Sequence, residues 1–550
     1  MHRALACAAI AAMGCTTGPD DSRSTPPAAR PLPDGRLKAD EWTGAAVDGG
    51  TLTVIIPNEP AGLLYLVLPD LTLSRITVPH VYETLLTPDA HDETGQQLVP
   101  RLAESYSVSP DGLVTTFVLR AGVRWHDGQP FSADDVVFTF DRVMDPNGRS
   151  GHLRSSFTDL RKWEKVDDRT VRFTFDKPYF LTLDALGGVE IIPRHVFESG
   201  ELTKNPAVRR PVGTGPFRFE SWEPGSKRIV YRRNEDYWGA KAHVDTLVFR
   251  VVEDRTVAAQ LMERGDADFY RNYLPDQWLR LADEPDFLAR HRLVRGTTGG
   301  FTYVSLNERR PFFADKRVRR AMAQLLNRPY VEQKLLKGLY ADHECALQFD
   351  GPDCDPALLP PGYDPTQARA LLDAAGWTDH DGDGSRDKDG VPLRFTYVYP
   401  NGSIVAEQVG TLLRDELHRS GIEMEMQVLE WGTFSSRLRH GEFDATCLAA
   451  GGDPRSDPFS MFHSSQTEGR NFAAFHNPEA DRLLEAARVE LDDGRRHVLY
   501  KAFGRLLADE QPFIWLGTAP TLGALSRRVH GARNVREPEY AEWWLAPEAP

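Results

Sequence analysis

Asp453 stands where a carboxylate can do chemistry. It lies in the loop Gly451-Gly-Asp-Pro-Arg-Ser-Asp-Pro458, directly after Phe443-Asp-Ala-Thr-Cys-Leu-Ala-Ala450. That apolar run predicts a buried strand, with Cys447 packed inside it. A carboxylate at the carboxyl end of a strand, partly withdrawn from water, pairs strongly with an ammonium group. Asp457 competes for the same role, and the structural alternative for Asp453 is an Asx turn ahead of Pro454. Tyr399, Asn401 and Trp431 close two neighbouring predicted strands, where each can pack on a ligand or on the core. Arg455 is the arginine nearest the same region. Gly213-Thr-Gly215 would let backbone approach a ligand closely, with a plain tight turn as the rival reading.

A second acidic cluster has different chemistry. Asp379-His-Asp-Gly-Asp-Gly-Ser-Arg-Asp-Lys-Asp-Gly390 follows the first half of a calcium loop, with Asp379, Asp381 and Asp383 at positions one, three and five. Gly384 stands at six and Asp387 at nine, but Gly390 replaces the closing bidentate glutamate. A structural calcium and a metal-free acidic turn both fit, and no other cofactor is required. The sixteen histidines form no H-E-x-x-H, and no C-x-x-C, G-x-S-x-G or P-loop occurs. The expectation is therefore a protein that is not an enzyme.

The elements that position these residues are best defined between Leu393 and Ala450. Phe395, Tyr397 and Tyr399 alternate as in a strand; Val405, Val409, Leu412, Leu413 and Leu417 recur at helical spacing, with Gly421 as the capping glycine. Ile422, Met424, Met426 and Val428 then alternate again, a short helix spans about Thr433 to His440, and the strand Phe443–Ala450 follows. A right-handed β-α-β-α-β path makes the three strands parallel. A second such unit runs through a strand at Thr246–Val252, a helix at Arg255–Arg264 and a strand at Ala267–Tyr270. Two α/β units so far apart in sequence predict two lobes with a cleft between them. Around Ala121–Phe140, a turn at Asp127-Gly128 precedes a helix capped by Ser132, with Asp134 and Asp135 in its first turn.

The chain opens with Met1-His2-Arg3, an apolar run from Ala4 to Met13, and Gly14-Cys15, which resembles a bacterial lipoprotein signal lipidated at Cys15. Ordinary cleavage nearby is the alternative. Residues 16–50, rich in Pro, Ser, Asp and Gly, predict a flexible tether. The 65 Lys plus Arg against 80 Asp plus Glu give a net charge of −15, which argues against nucleic acid as a partner. Cys345 and Cys354 flank a short loop and are candidates for a disulfide, with two free thiols as the alternative.

Longer stretches carry a family likeness. Ala121-Gly-Val-Arg-Trp-His-Asp-Gly-Gln-Pro-Phe-Ser-Ala-Asp-Asp-Val-Val-Phe-Thr-Phe140 closely resembles the signature region of the family 5 extracellular solute-binding proteins, the peptide receptors of ABC importers. The likeness continues through Gly213-Thr-Gly-Pro-Phe217, Asn234-Glu-Asp-Tyr-Trp238, Asp315-Lys-Arg-Val-Arg-Arg-Ala321, Asp364-Pro-Thr-Gln-Ala-Arg-Ala-Leu-Leu372 and Gly441-Glu-Phe-Asp444, in family order. The resemblance implies a two-lobed periplasmic-binding-protein-like α/β fold (type II, cluster C) with an extra inserted α+β domain. It divides the chain into a signal at 1–15, the tether at 16–50, lobe I at 51–80, 210–290 and 515–550, the insertion at 81–209, and lobe II at 291–514. It further implies a monomeric lipoprotein, periplasmic or on the cell surface, held to a membrane only by its lipid. Such a protein captures short peptides, with Asp453 anchoring the α-amino group, and delivers them to the transmembrane subunits of an ABC permease. Relatives that bind nickel complexes, oligosaccharides or opines, and a sensor reusing the fold, are the alternatives.

Overall fold

A computed structural model describes residues 45–546, apart from 69–70, 79, 90–91, 93–96, 223–224, 298–299, 342, 348–350, 452–454, 468 and 534–537. The signal, Cys15, most of the tether and Asp453 therefore lie outside the described residues.

One sheet has five strands in the order Glu423–Leu429, Arg394–Pro400, Ala445–Ala450, Phe301–Leu306, Phe513–Gly517. The first three are parallel, as the β-α-β-α-β pattern requires, and helices Ile404–Arg419 and Trp431–His440 make the crossovers. Gly421, with φ 76°, takes the left-handed turn just past the first helix. The second helix starts earlier than its apolar spacing suggests, because Glu430 caps it, accepting from the Gly432 and Thr433 amides at 2.7 and 3.3 Å. Both sheet faces are covered. Val304, Phe395, Tyr397 and Cys447 belong to one apolar core, Tyr303, Phe513 and Trp515 to another with Tyr500 and Phe503. Burial on both faces explains why these strands read as continuous apolar runs.

The second sheet has seven strands, in the order His291–Thr297, Pro520–Ser526, Phe269–Tyr270, Thr51–Ile56, Thr246–Val251, Arg228–Arg233, Phe217–Ser221. Thr51–Ile56 lies parallel to both Thr246–Val251 and Phe269–Tyr270 and separates them. The helix Arg255–Arg264 joins those two strands, capped by Asp254 and closed by Gly265 at φ 81°. Only two stretches of chain carry strand into strand between the sheets among the described residues: 291–297 into 301–306, and 513–517 into 520–526.

Between Ile56 and Phe217 in sequence lies the inserted α+β domain. Its antiparallel sheet runs Ala103–Val108, Val114–Leu119, Thr170–Phe175, Leu160–Asp167, and helix Ala133–Met144 packs on it. Ser132 and Asp135 form a capping box there, and Asp135 also accepts the Arg194 amide at 2.9 Å. Asp135 is thus a buried joint rather than only a charge beside a helix dipole.

Glu190, between Val189 and Ile191 of this domain's core, is fully buried and accepts the Leu66 amide. Burial pushes its carboxyl up from 4.5 to about 8. Between those values the fold keeps a proton that the unfolded chain has released, so stability falls as pH rises through this window. Glu190→Gln should therefore melt with the wild type near pH 4 and above it at pH 8, as thermal unfolding across that range will show.

Candidate functional site

Strand register locates the cleft. Phe301 pairs with Ala450, so strand 301–306 begins at the carboxyl end of 445–450. In the other sheet Thr297 pairs with Pro520 and Tyr270 with Ala524, so strand 520–526 begins beyond the carboxyl end of 269–270. Both connections between the sheets therefore pass the carboxyl ends of the parallel strands, the place where open α/β sheets bind their ligands. The connections are tied together. The buried Thr518 donates its hydroxyl to the Gly300 carbonyl at 2.6 Å and exchanges two backbone hydrogen bonds with Ala341, at 2.9 and 3.1 Å. A Cβ on Gly300 would sit 1.9 Å from the Ala450 oxygen, so the hinge touches the strand that leads into the Asp453 loop.

The seven-stranded lobe contributes residues that local patterning did not single out. Glu59, just past Thr51–Ile56, accepts from Trp222 Nε1 at 2.9 Å, and the Arg209 guanidinium stacks 3.9 Å over that indole. Beyond Phe269–Tyr270, the Tyr270 hydroxyl donates to the Asn272 carbonyl at 3.0 Å. Tyr273 packs edge-on to Tyr270 at 4.8 Å, and its buried hydroxyl has no hydrogen-bond partner among the described residues. Burial pushes the Tyr270 phenol up to about 12 and raises that of Tyr273 as well, so both remain neutral donors. Their only signal in sequence is position: Tyr270 ends a strand, and Glu59 and Tyr273 follow one.

In the five-stranded lobe, Asn401 is exposed and its backbone N–H donates to the Leu429 carbonyl at 2.8 Å. Tyr399 is half-buried beside Tyr397, ring centroids 5.9 Å apart. Trp431 is 66% exposed, so it is a surface aromatic at the first turn of its helix and not a core tryptophan. Asp457 is engaged by the protein itself: it pairs with Arg488 at 2.9 Å, and accepts from Tyr179 OH at 3.3 Å and the Phe459 amide at 3.0 Å. Burial raises its carboxyl above the ordinary range against the pull of Arg488. Arg455 is similarly occupied, by Asp184 at 3.4 Å and the Phe180 carbonyl at 3.2 Å. Neither side chain is free to meet a ligand in this arrangement.

Gly215 requires a different account from the expected ligand approach. Its amide donates to the Val81 carbonyl at 2.9 Å, its carbonyl faces His126 Nε2 at 3.0 Å, and a Cβ would sit 2.5 Å from the His80 oxygen. The close approach is between two stretches of the protein's own backbone.

The acidic loop is exposed, whereas the cysteines are buried. Carboxylate oxygens of Asp379, Asp381 and Asp383 fall within 4.8 Å of one another, all exposed, and Asp379 accepts the Gly382 and Gly384 amides at 2.7 and 3.0 Å. Asp387 turns instead to His380 Nδ1 at 3.2 Å. Cys345 and Cys354 are joined, while Cys447 is a buried thiol pushed up to about 12 and so unreactive.

Two α/β sheets linked by a double crossover, with a cleft at their carboxyl ends and an inserted α+β domain, define a solute-binding fold. The pattern of the bacterial extracellular solute-binding proteins, family 5 Middle, matches residues 97–472, and the chain belongs to that family. The oligopeptide-binding protein AppA of Bacillus subtilis (strain 168) is 29% identical over 463 residues, covering 81% of this chain and 83% of that protein. The structure of AppA from Bacillus subtilis in complex with a nonapeptide matches with a TM-score of 0.77 at 27% identity, covering 92% of this chain and all (100%) of that one. NikZ from Campylobacter jejuni, in complex with Ni(L-His), matches at 0.76 and 25% identity, covering 90% and 99%. Among the described residues no helix is long and apolar enough to cross a membrane.

Proposed function

We propose that this protein captures short peptides in the cleft between its sheets and delivers them to an ABC permease, held to its membrane by a lipid on Cys15. The observation that carries the reading is the convergence of strand ends on one cleft, together with the AppA–nonapeptide complex as a relative. The lobe bounds expected from sequence, 51–80, 210–290 and 515–550 against 291–514, shift at the crossovers: strand 291–297 pairs with 520–526 and belongs to lobe I, strand 513–517 pairs with 301–306 and belongs to lobe II, and the insertion stays at 81–209. The lobes close about the connections at Gly300 and Thr518, and identical small-angle scattering with and without peptide would refute that motion. Asp453 holds the peptide's α-amino group, while Tyr399, Asn401 and Trp431 line the lobe II side. Glu59, Asn272 and Tyr273 face them from lobe I.

The test uses the chain from Arg36 onward, without Cys15, in native mass spectrometry as isolated and after addition of mixed tri- to pentapeptides. Adducts at peptide masses are expected. Removing one partner of a desolvated charge pair costs about 2–5 kcal/mol, so Asp453→Ala should weaken capture by roughly thirtyfold or more. Adducts at the mass of a nickel–histidine complex, as in the NikZ structure, would replace peptide by metal chelate as the cargo. Protein that binds neither would overturn the reading.

A further inference from the structure

The inserted domain does not merely sit beside the first lobe; it reaches into the second. Phe180, 8% exposed, belongs to the same apolar core as Phe301, Tyr303, Phe462, Tyr500 and Trp515 of the five-stranded lobe. Its ring lies 5.9 Å from that of Tyr500, under the Arg496 guanidinium at 4.5 Å. Its backbone is bonded on both sides: the amide donates to the Arg488 carbonyl at 3.0 Å and the carbonyl accepts from Arg455 at 3.2 Å. The adjoining Tyr179 donates to Asp457, and Arg488 stacks 5.0 Å over the Tyr179 ring. Gly112, in a neighbouring turn of the inserted domain, leaves room for Leu491; a Cβ there would be 2.7 Å from the leucine.

These contacts converge on one loop. Arg455 and Asp457 both lie between strand 445–450 and helix Phe459–Phe462, in the chain that leaves the cleft end of the five-stranded sheet. Each is held by the inserted domain rather than by its own lobe alone. The hook joins parts of the molecule that the double crossover allows to swing apart.

We propose that Tyr179 and Phe180 are positioning residues for ligand capture, forming a hook that engages the five-stranded lobe when the cleft closes and thereby fixes the loop at Arg455–Pro458. This rests on the peptide-capture reading above, but part of its test does not need a ligand. An open cleft leaves Phe180 in water and the loop without its two clamps; a closed one seats the ring and sets the loop. The hook therefore favours closure without touching the peptide, and its loss lowers the fraction of binding-competent protein.

Three readings on the full chain test this. In the unliganded wild type, amide hydrogen exchange over Lys177–Asp184 should be fast, because the Phe180 amide loses its acceptor when the hook is out. With the tri- to pentapeptide mixture it should slow. Phe180→Ala should keep the wild-type melting temperature without peptide, yet bind about tenfold more weakly or worse. Tyr179→Phe, which removes one hydroxyl and endangers no fold, should show a smaller loss in the same direction. Slow exchange in the unliganded protein, or a Phe180→Ala variant that melts earlier while binding peptide as before, would make the segment permanent core and overturn the hook. If the wild type binds no peptide, the capture reading fails by itself. Exchange of the unliganded segment then still decides the hook, fast supporting it and slow refuting it.

Discussion

Arg319→Leu should cost the fold about 3–5 kcal/mol, the usual result when a buried ion-pair partner is removed. Arg319 lies on helix Lys316–Leu325 with its side chain 2% exposed, between Glu308 at 3.2 Å and Glu510 at 3.1 Å. The same guanidinium donates to the carbonyls of Phe313, Ala314 and Glu510 at 2.9, 3.1 and 2.9 Å. Leucine fills part of the space but leaves two carboxylates and three carbonyls without their donor. Burial already pushes Glu308 up to about 8, with Arg319 opposing that rise. Without the arginine the rise is unopposed, so the variant's stability should go on falling above pH 8, where the wild type's levels off. Lysine restores the charge but not the fork, and Arg319→Lys should fall between the two. Denaturant titrations of the three proteins at pH 5.5, 7.5 and 9 measure this. A leucine variant within about 1 kcal/mol of wild type would show that the network carries little of the stability.

How far the sequence discloses this molecule depends on the range of the interaction. The parallel unit from Arg394 to Ala450 was legible because its periods switch within sixty residues or so, and each strand's partner lies one crossover away. The place of Thr51–Ile56 between Thr246–Val251 and Phe269–Tyr270 was not, because no local pattern records a partner two hundred residues distant. The site divides in the same way. Strand ends in the five-stranded sheet pointed to Tyr399, Asn401 and Trp431. Tyr273 and Glu59 follow strands whose neighbours only the fold reveals, and Asp457 reads as a free carboxylate until Tyr179 and Arg488 are brought to it from elsewhere. Gly215 was legible as a close approach, but not as an approach to His80.

Glu83 shows what the family wording is for, and its removal should be about as damaging as that of Arg319. Its side chain is wholly buried and accepts four donors, two on each oxygen. Arg101 Nε and Tyr237 OH approach one oxygen at 2.7 Å; Thr214 Oγ1 and Trp238 Nε1 approach the other at 2.9 and 2.8 Å. Thr214 belongs to Gly213-Thr-Gly-Pro-Phe217 and Tyr237-Trp238 to Asn234-Glu-Asp-Tyr-Trp238. Two of the stretches that carry the family likeness thus meet on one carboxylate where the inserted domain joins the seven-stranded lobe. Glu83→Ala should cost about 3–5 kcal/mol, since it removes a wholly buried carboxylate and leaves a half-buried guanidinium whose other carboxylate among the described residues, Glu539, is 3.9 Å away. Glu83→Gln is the sharper test. It preserves shape, yet whichever way the amide flips its NH2 faces an N–H that can only donate, Arg101 Nε on one side or Trp238 Nε1 on the other. Both variants should lower the denaturant midpoint, glutamine by at least half as much as alanine. A glutamine variant as stable as wild type would mean that the knot is held by shape and not by charge.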